Sequence, residues 1–590
     1  MQRGSILLCL LLATAMDVGA KDYFVAPGGV DTKPGTKASP FRTIQKAATV
    51  MQAGDRCLIR AGTYRETVVP ANSGKDKAPI TFEAFEGERV VISGADILPG
   101  PWKQHKGKIY AASMPWTLGP GRDMAFVDGI AVIQARHPNT HTTGGKPPPI
   151  GLPPLWMTYG NFKVTLNSPD LTNPTDLNQE EKDFWKGALY VGWHGWSWCL
   201  QSAEVESSSK GAITVTNKTG QWWFPDSTGT RFLYPEFNQG YLTHHINALD
   251  KAGEWHYQDQ TLYLWSPHDK DPSGSVVEAK RRHLAFDLRN RNHITLKGLR
   301  MFAASVTMYN ADNCVIDGCR MSFVSHYTKF DDGRDGYIDD HKVQDKNGAP
   351  QRGEVGVFIG GSSNVVKNSV IKYSAGSGLF LGGYRTTVTN CIIHDCGYVG
   401  TYMGNIFIAY DPVNSEAPRG GHTITCNEIY RSGRSLINIT ADIRKGSPLP
   451  TVYEAMDISY NHLYDSSITA NDAGSVYSWN TTLGTGENRT QVHHNLLWDA
   501  WATFWCGLVY PDNATYKVDY RDNLLWLTSR SRPAGFYKHN GPGDPKYFNN
   551  VEKQGRYDGG VEGLKDADYP GGKVFKTGPT IQDEKDSWYP

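Results

Sequence analysis

Past its first twenty residues the chain has no long apolar run, no surplus of charge of either sign and no CxxC pair. Without about 18 consecutive apolar residues there is no helix to cross a bilayer, so no membrane role is expected. The 60 basic and 60 acidic residues cancel to a formal net charge of +0, and nothing recommends a polyanionic partner such as nucleic acid. Cysteines are few, and those at Cys314, Cys319, Cys391, Cys396 and Cys426 lie in or beside short apolar strands. That placement suits small buried hydrophobes rather than a disulfide framework or a zinc site, and no metal ligand set is assigned.

The opening segment is the exception to the missing apolar runs. Met1-Gln2-Arg3-Gly4 precedes an apolar stretch from Ile6 to Ala13, and Val18-Gly19-Ala20 stands before Lys21. One basic residue, a short apolar core and small residues at the cut predict an export signal over residues 1–20 and a secreted or periplasmic protein. Aromatic residues make up 12% of the chain, with 17 Trp and 30 Tyr. Such rings suit sugar stacking, and they equally suit the packing of β-sheets.

From residue 290 onward a short pattern of alternating apolar residues closed by Gly or Asn recurs. Clear copies end at Gly298, Gly318, Asn368, Asn390, Asn427, Asn461, Asn495 and Asn523. The base period of about 20 to 22 residues, with insertions, is that of a solenoid. Period-2 strands exclude a helical repeat. The expected fold is therefore all-β, a right-handed parallel β-helix of three strands per coil. Asn at the bend is expected to take the left-handed conformation and to stack as a ladder inside the turn.

The predicted organisation follows from where the pattern holds. Residues 21–99 carry an N-terminal cap and first coils, with a short helix opening near Ser39-Pro40-Phe41. Residues 100–282 lose the repeat and gain Trp, Pro and Gly, which indicates an inserted β-rich, sandwich-like subdomain. The main helix spans 283–540, and 541–590 form a tail packing on the helix or capping it.

Several segments in this order resemble secreted glycosidases. Phe126-Val127-Asp128-Gly129 with Ala135-Arg136-His137-Pro138-Asn139, then Gly253-Glu254-Trp255-His256-Tyr257 with Thr261-Leu262-Tyr263-Leu264-Trp265, look like glycoside hydrolase families 141 and 120. The resemblance implies hydrolysis of a polysaccharide or oligosaccharide, with xylose- or fucose-containing glycans favoured. Asn471-Asp472-Ala473-Gly474-Ser475-Val476-Tyr477 is similar to the Asp-Gly-Gly-Ala-Ile-Tyr segment of family 141. Gly507-Leu508-Val509-Tyr510-Pro511-Asp512 is similar to its later Gly-Ile-Tyr-Leu-Asp segment. Carried over, Asp472 and Asp512 become the catalytic pair.

Glycoside cleavage needs two carboxyl groups, one to protonate the leaving oxygen and one to attack or to activate water. The repeat independently puts Asp472 and Asp512 on successive coils. An Asp beside Gly at a strand edge is also an ordinary turn residue, and on spacing alone that reading competes. Asp411 is a third carboxylate candidate, with Glu454 and Asp442 behind it. Tyr477, Trp479 and Trp505, next to the acids, are substrate-binding candidates. So are His326, with Tyr327 and Lys329, and the insertion's Trp222 and Trp223, which a local core explains as well. One of His493 and His494 is expected to face inward. The acidic loop 331–340 is the one candidate for Ca²⁺, although a solvated loop explains it better; no cofactor is expected. A polysaccharide lyase on the same scaffold and a non-catalytic glycan-binding protein are the competing functions. Oligomeric state is not read from the sequence.

Overall fold

The computed structural model describes residues 19–119, 121–139, 160–161, 177, 179, 181–193, 200–216, 239–327, 355–409, 418–440, 451–502, 505–527, 534–536, 542–554, 565, 568–573 and 575–583. Three parallel faces build a β-helix. The first runs through 12 strands from Asp22–Val25 to Lys546–Phe548, the second through 11 from Gly62–Tyr64 to Val551–Gln554, and the third through 9 from Leu284–Asp287 to Ala534–Phe536. One coil comprises Ile294–Lys297, Arg300–Phe302 and Ser305–Met308.

Alternation decides which side chains enter the core. On the first face Leu296, Ile316, Val366, Val388, Ile424, Ile458 and Val492 occupy one register column, and all are buried. The cysteines follow the same logic. Cys314, Cys319, Cys391 and Cys396 are free thiols buried in this core, and burial pushes Cys319 and Cys391 up to about 12.

The corner ladder differs from the expectation in one instructive way. The left-handed residue is the one before the ladder position: Cys426, Tyr460, His494 and Asp522 have φ of 57°, 55°, 52° and 54°. The following Asn427, Asn461, Asn495 and Asn523 point inward. Asn461 Oδ1 accepts from Asn427 N at 3.0 Å, while its Nδ2 donates to Ile424 O at 2.8 Å and to Asn495 Oδ1 at 3.0 Å. Asn368 and Asn390 are themselves left-handed (φ 52° and 54°) and bond each other outside the turn. Their inner neighbours are Ser369 and Cys391. His493 and His494 are both part-exposed, so neither enters the core; Val492 and Asn495 do.

At the N-terminus the helix Ile44–Val50 lies over the open core and buries Ile44, Ala47 and Ala48. Its cap is Thr43, whose hydroxyl accepts from Lys46 N, so Pro40 lies ahead of the helix rather than in its first turn. The insertion departs after Val90–Ser93, and the third face begins at Leu284. Its described strands form two largely antiparallel sheets. The resemblance segments are structural there: Ala125–Val127 pairs with Ile130–Gln134, and Glu254–Gln258 pairs with Thr261–Trp265. The insertion is tied to the helix by Lys280, fully buried, whose Nζ donates to Phe323 O and Val324 O at 3.0 Å each.

The parallel ladder continues past residue 540 to Gln554. Farther on the chain runs back along the second face. Tyr569 and Phe575 pack on Trp498 and Trp526, Thr580 N donates to Asn390 Oδ1, and Asp583 meets Lys372 and His394. Among the described residues no helix is long and apolar enough to cross a membrane.

Candidate active site

Asp472 and Asp512 stand at opposite ends of two neighbouring strands of the third face, Ala473–Trp479 and Cys506–Pro511. The strands pair in parallel with Ala473 opposite Cys506 and Tyr477 opposite Tyr510. In that register Asp472 faces Trp505, and Asp512 comes one position beyond the last pair, opposite Trp479. The acids therefore share no column, and the spacing of one coil step, about 4.8 Å, does not describe their separation.

A kink and two tyrosines connect them instead. Leu508 and Val509 are consecutive yet both lie in the interior, which an extended strand cannot do, so the chain bends there. The bend brings Tyr510 over Gly474. A Cβ on Gly474 would lie 2.8 Å from the Cβ of Tyr510, so a glycine is what lets the tyrosine pass. Tyr510 Oη donates to Asp472 Oδ1 at 2.8 Å, and Tyr477 Oη donates to Asp512 Oδ2 at 2.7 Å. The two rings meet edge to face, with centroids 5.2 Å apart at 87°. Asp512 also accepts from Asn513 N at 2.6 Å. Each carboxylate thus has a fixed hydroxyl donor drawn from the adjoining coil.

Behind the tyrosines lies Arg434, fully buried. Its guanidinium carbon sits 4.1 Å from the Tyr402 ring centroid and 4.4 Å from that of Tyr477, while Nη2 donates to Asp472 O at 2.8 Å. Burial works against this charge, but Tyr477, Tyr402 and Asp472 more than offset it and raise the pKa of Arg434. Burial, then the negative charge of Asp512, lifts the Tyr477 hydroxyl well above its ordinary value, and burial takes Tyr402 to about 12. Both hydroxyls stay protonated donors at any working pH.

The sequence candidates separate into three groups. Asp472 with Trp505 and Asp512 with Trp479 flank the two ends of one strand pair, and Tyr477 lies within it. Trp505 is 36% exposed beside Asp472, and Trp479 is half-buried beside Asp512. Tyr477 is buried, so it orients a carboxylate and does not offer a ring face to a ligand. His326 lies instead among residues joining insertion and helix. Its Nδ1 is 2.6 Å from Tyr398 Oη, and burial, reinforced by Lys280, Arg136 and His244, lowers it to about 3. A neutral, buried His326 is a packing residue, and the neighbouring Tyr327 bonds Thr401. Glu454, bridged in parallel to Gly420, accepts from Thr485 Oγ1 at 3.0 Å. Asp411, Asp442, Lys329, Trp222, Trp223 and the acidic loop 331–340 lie outside the described residues. Among the described residues no cluster of three or more His, Cys, Asp or Glu is arranged to hold a metal.

Sequence reasoning missed Tyr510, Arg434 and Tyr402 as site residues. Tyr510 was findable, because aligning the repeats sets it on Tyr477. Arg434 gives no signal in sequence: its burial depends on a turn whose partners are Ser467 and Asp472 of the next coil.

Residues 27–73 match the family model described as Protein of unknown function (DUF1565). The chain is 46% identical over 84 residues to the uncharacterized protein YwoF of Bacillus subtilis (strain 168), covering 14% of this chain and 18% of that protein. It is 40% identical over 83 residues to pectate lyase PEL9 of Emericella nidulans, covering 14% and 20%. It therefore spans only about a fifth of the length of either curated relative. A solved structure described as a glycoside hydrolase superposes with a TM-score of 0.66 at 16% identity, over 92% of this chain and 98% of that one. XylC in complex with xylose superposes with a TM-score of 0.51 at 15% identity, over 90% and 75%. At such identities the likeness is one of fold, and the fold it establishes is the parallel β-helix.

Proposed function

We propose that this protein is an exported glycoside hydrolase in which Asp472 and Asp512 are the reacting carboxyl groups. The observation that carries the proposal is the pair itself: two acids on neighbouring coils, each held by a tyrosine hydroxyl at a kink. Hydrolysis needs one such group to protonate the leaving oxygen and another to attack the anomeric carbon or to deprotonate water. Trp505 and Trp479, one beside each acid, supply ring faces of the kind that stack on sugars. No cofactor is required. The favoured substrate is a xylose- or fucose-containing glycan. The resemblance to families 141 and 120 supports it, as does the fold shared with a xylose-bound protein. Export rests on the signal read over residues 1–20.

A lyase would need a cation free to meet a uronate carboxylate. Among the described residues Arg434 is the cation that contacts this pair, and it is closed off between Tyr402 and Tyr477. The test is a panel of aryl xylosides and fucosides with xylan- and fucose-derived oligosaccharides, read by released sugar, beside uronate polymers read by ultraviolet absorbance. Released sugar without an unsaturated product supports hydrolysis. An unsaturated uronate product would assign a lyase, and binding without turnover would leave a glycan-binding protein.

A further inference from the structure

We infer that Arg320, Lys372 and His394 form a carboxylate-binding site on the second face, held by the chain's own Asp583 and open to uronate-bearing glycan chains when the tail lifts. It lies apart from the acid pair on the third face and does not depend on those acids reacting.

The strands of the second face dictate the placement. Ile371 and Ile393 enter the core, so their neighbours Lys372 and His394 point outward. The two are register partners on adjoining coils, and Arg320 comes from the coil before them. An outward lysine and histidine are ordinarily wet, yet both are buried. The tail segment 575–583, which carries neither helix nor strand, lies over them. Asp583 Oδ2 accepts from Lys372 Nζ at 2.8 Å and lies 3.1 Å from His394 Nε2, while its Oδ1 is 3.7 Å from Arg320 Nη1.

The solenoid builds this site without the tail. His394 Nδ1 is 2.5 Å from Asp395 Oδ2, and its ring stacks on Tyr430 at 4.6 Å and 3°. Burial works against a charge on His394, but the bonds to Asp395 and Asp583 more than offset it. Arg431 Nε in turn donates to Asp395 Oδ1 at 2.9 Å. Around Asp583 and its partners stand four cations, Arg320, Lys372, His394 and Arg431, against two acids, Asp395 and Glu428. The formal net charge of +0 for the whole chain conceals this local surplus. Buried positive charge in excess calls for an anion.

The shape suits a linear polymer. Phe575 packs on the cluster of Trp498, Trp526 and Tyr569, Gly578 N donates to Tyr460 O at 3.0 Å, and Thr580 N donates to Asn390 Oδ1 at 2.6 Å. From Trp498 to Lys372 the register runs through Tyr464, Tyr430 and His394, four coil steps or about 19 Å. The tail thus lies extended along the face, and terminal segments held by few bonds open at small cost. A uronate chain is linear, with hydroxyls that can donate where the two amides do and carboxylates for the cationic end.

The test titrates the full-length protein calorimetrically with hexagalacturonate, xylohexaose and hexa-aspartate. Asp583→Asn should bind hexagalacturonate at least about tenfold more tightly than the parent and xylohexaose no better, with reduced amide protection at Gly578 and Thr580. Adding Lys372→Met to Asp583→Asn should remove the gain; Arg320→Gln, on the more exposed side, does the same if the first pair fails to fold. No gain, a gain that survives loss of the cation, an equal gain for xylohexaose, or unchanged protection at Gly578 and Thr580 overturns the inference. Tighter binding of hexa-aspartate than of hexagalacturonate assigns the site to an acidic peptide and overturns the glycan reading.

Discussion

Replacing Tyr510 by Phe removes one oxygen and little else. The ring stays edge to face with Tyr477, and the side chain is fully buried. What is lost is a hydrogen bond of 2.8 Å to Asp472. A bond to a charged group is worth about 1.5–3 kcal/mol. At about 1.36 kcal/mol per decade, kcat/KM should fall about 10- to 150-fold. Tyr477→Phe removes the 2.7 Å bond to Asp512 and should cost a similar factor. Its ring would still cover Arg434. Because the two rings touch and both acids serve one reaction, the double variant should lose less than the product of the two losses. The assay is steady-state hydrolysis of the best aryl glycoside, with thermal melting to confirm that all three variants fold. If either single variant keeps its kcat/KM within about twofold of the parent, the tyrosines do not hold reacting groups, and the geometric argument for the site is wrong.

Two further outcomes follow from the scaffold. Asn461→Ala strips the partner from the buried Asn427 N and removes a donor from Ile424 O; at about 1–3 kcal/mol for each orphaned group it should destabilise the protein by several kcal/mol in urea unfolding, whereas a loss below about 0.5 kcal/mol would show the ladder to be idle. The tail contact should depend on pH. Asp583 is depressed to about 2 because bonds from His394 and Lys372 outweigh its burial, and His394 is raised because Asp395 and Asp583 outweigh its burial and the opposing Arg431. A depressed acid stabilises above its unfolded value, near 3.9, and loses that contribution as pH falls towards about 2. A raised histidine stabilises below its unfolded value, near 6.5, and loses that contribution as pH rises through its folded one. Amide exchange at Gly578 and Thr580, corrected for intrinsic rate, should therefore show greater protection at pH about 5 than at pH about 9, and Asp583→Asn should abolish the difference; equal protection at both, or an unchanged difference in the variant, would contradict the linkage.

The solenoid was legible because its signal is repeated: the same two-residue alternation and the same turn residue return at each coil, so one ambiguous copy is corrected by the next. The inward neighbour of the left-handed residue was misassigned because sequence shows Asn at the corner but not which of two adjacent positions turns. Cys426-Asn427 and Tyr460-Asn461 show the rule, with the first residue bending and the second filling the interior. Resemblance and coil counting single out Asp472 and Asp512 as the proposed pair. Their relation to one another was not found, because it depends on the bend at Leu508 and Val509, and a bend leaves no mark in an alternating pattern. His326 illustrates the opposite failure. It sits next to an acidic stretch in sequence, yet its neighbours in space, Tyr398 and Lys280, come from another coil and from the insertion.

The most direct measurement compares hydrolysis by the parent with that by Asp472→Asn and Asp512→Asn, each shown by circular dichroism to keep the β-helix. The amide preserves shape and much of the hydrogen bonding while removing the acid chemistry. Both variants should lose glycoside hydrolysis by about 10²-fold or more on a substrate with a poor leaving group while still binding it. Undiminished turnover in either folded variant would contradict the claim that these two side chains carry the reaction.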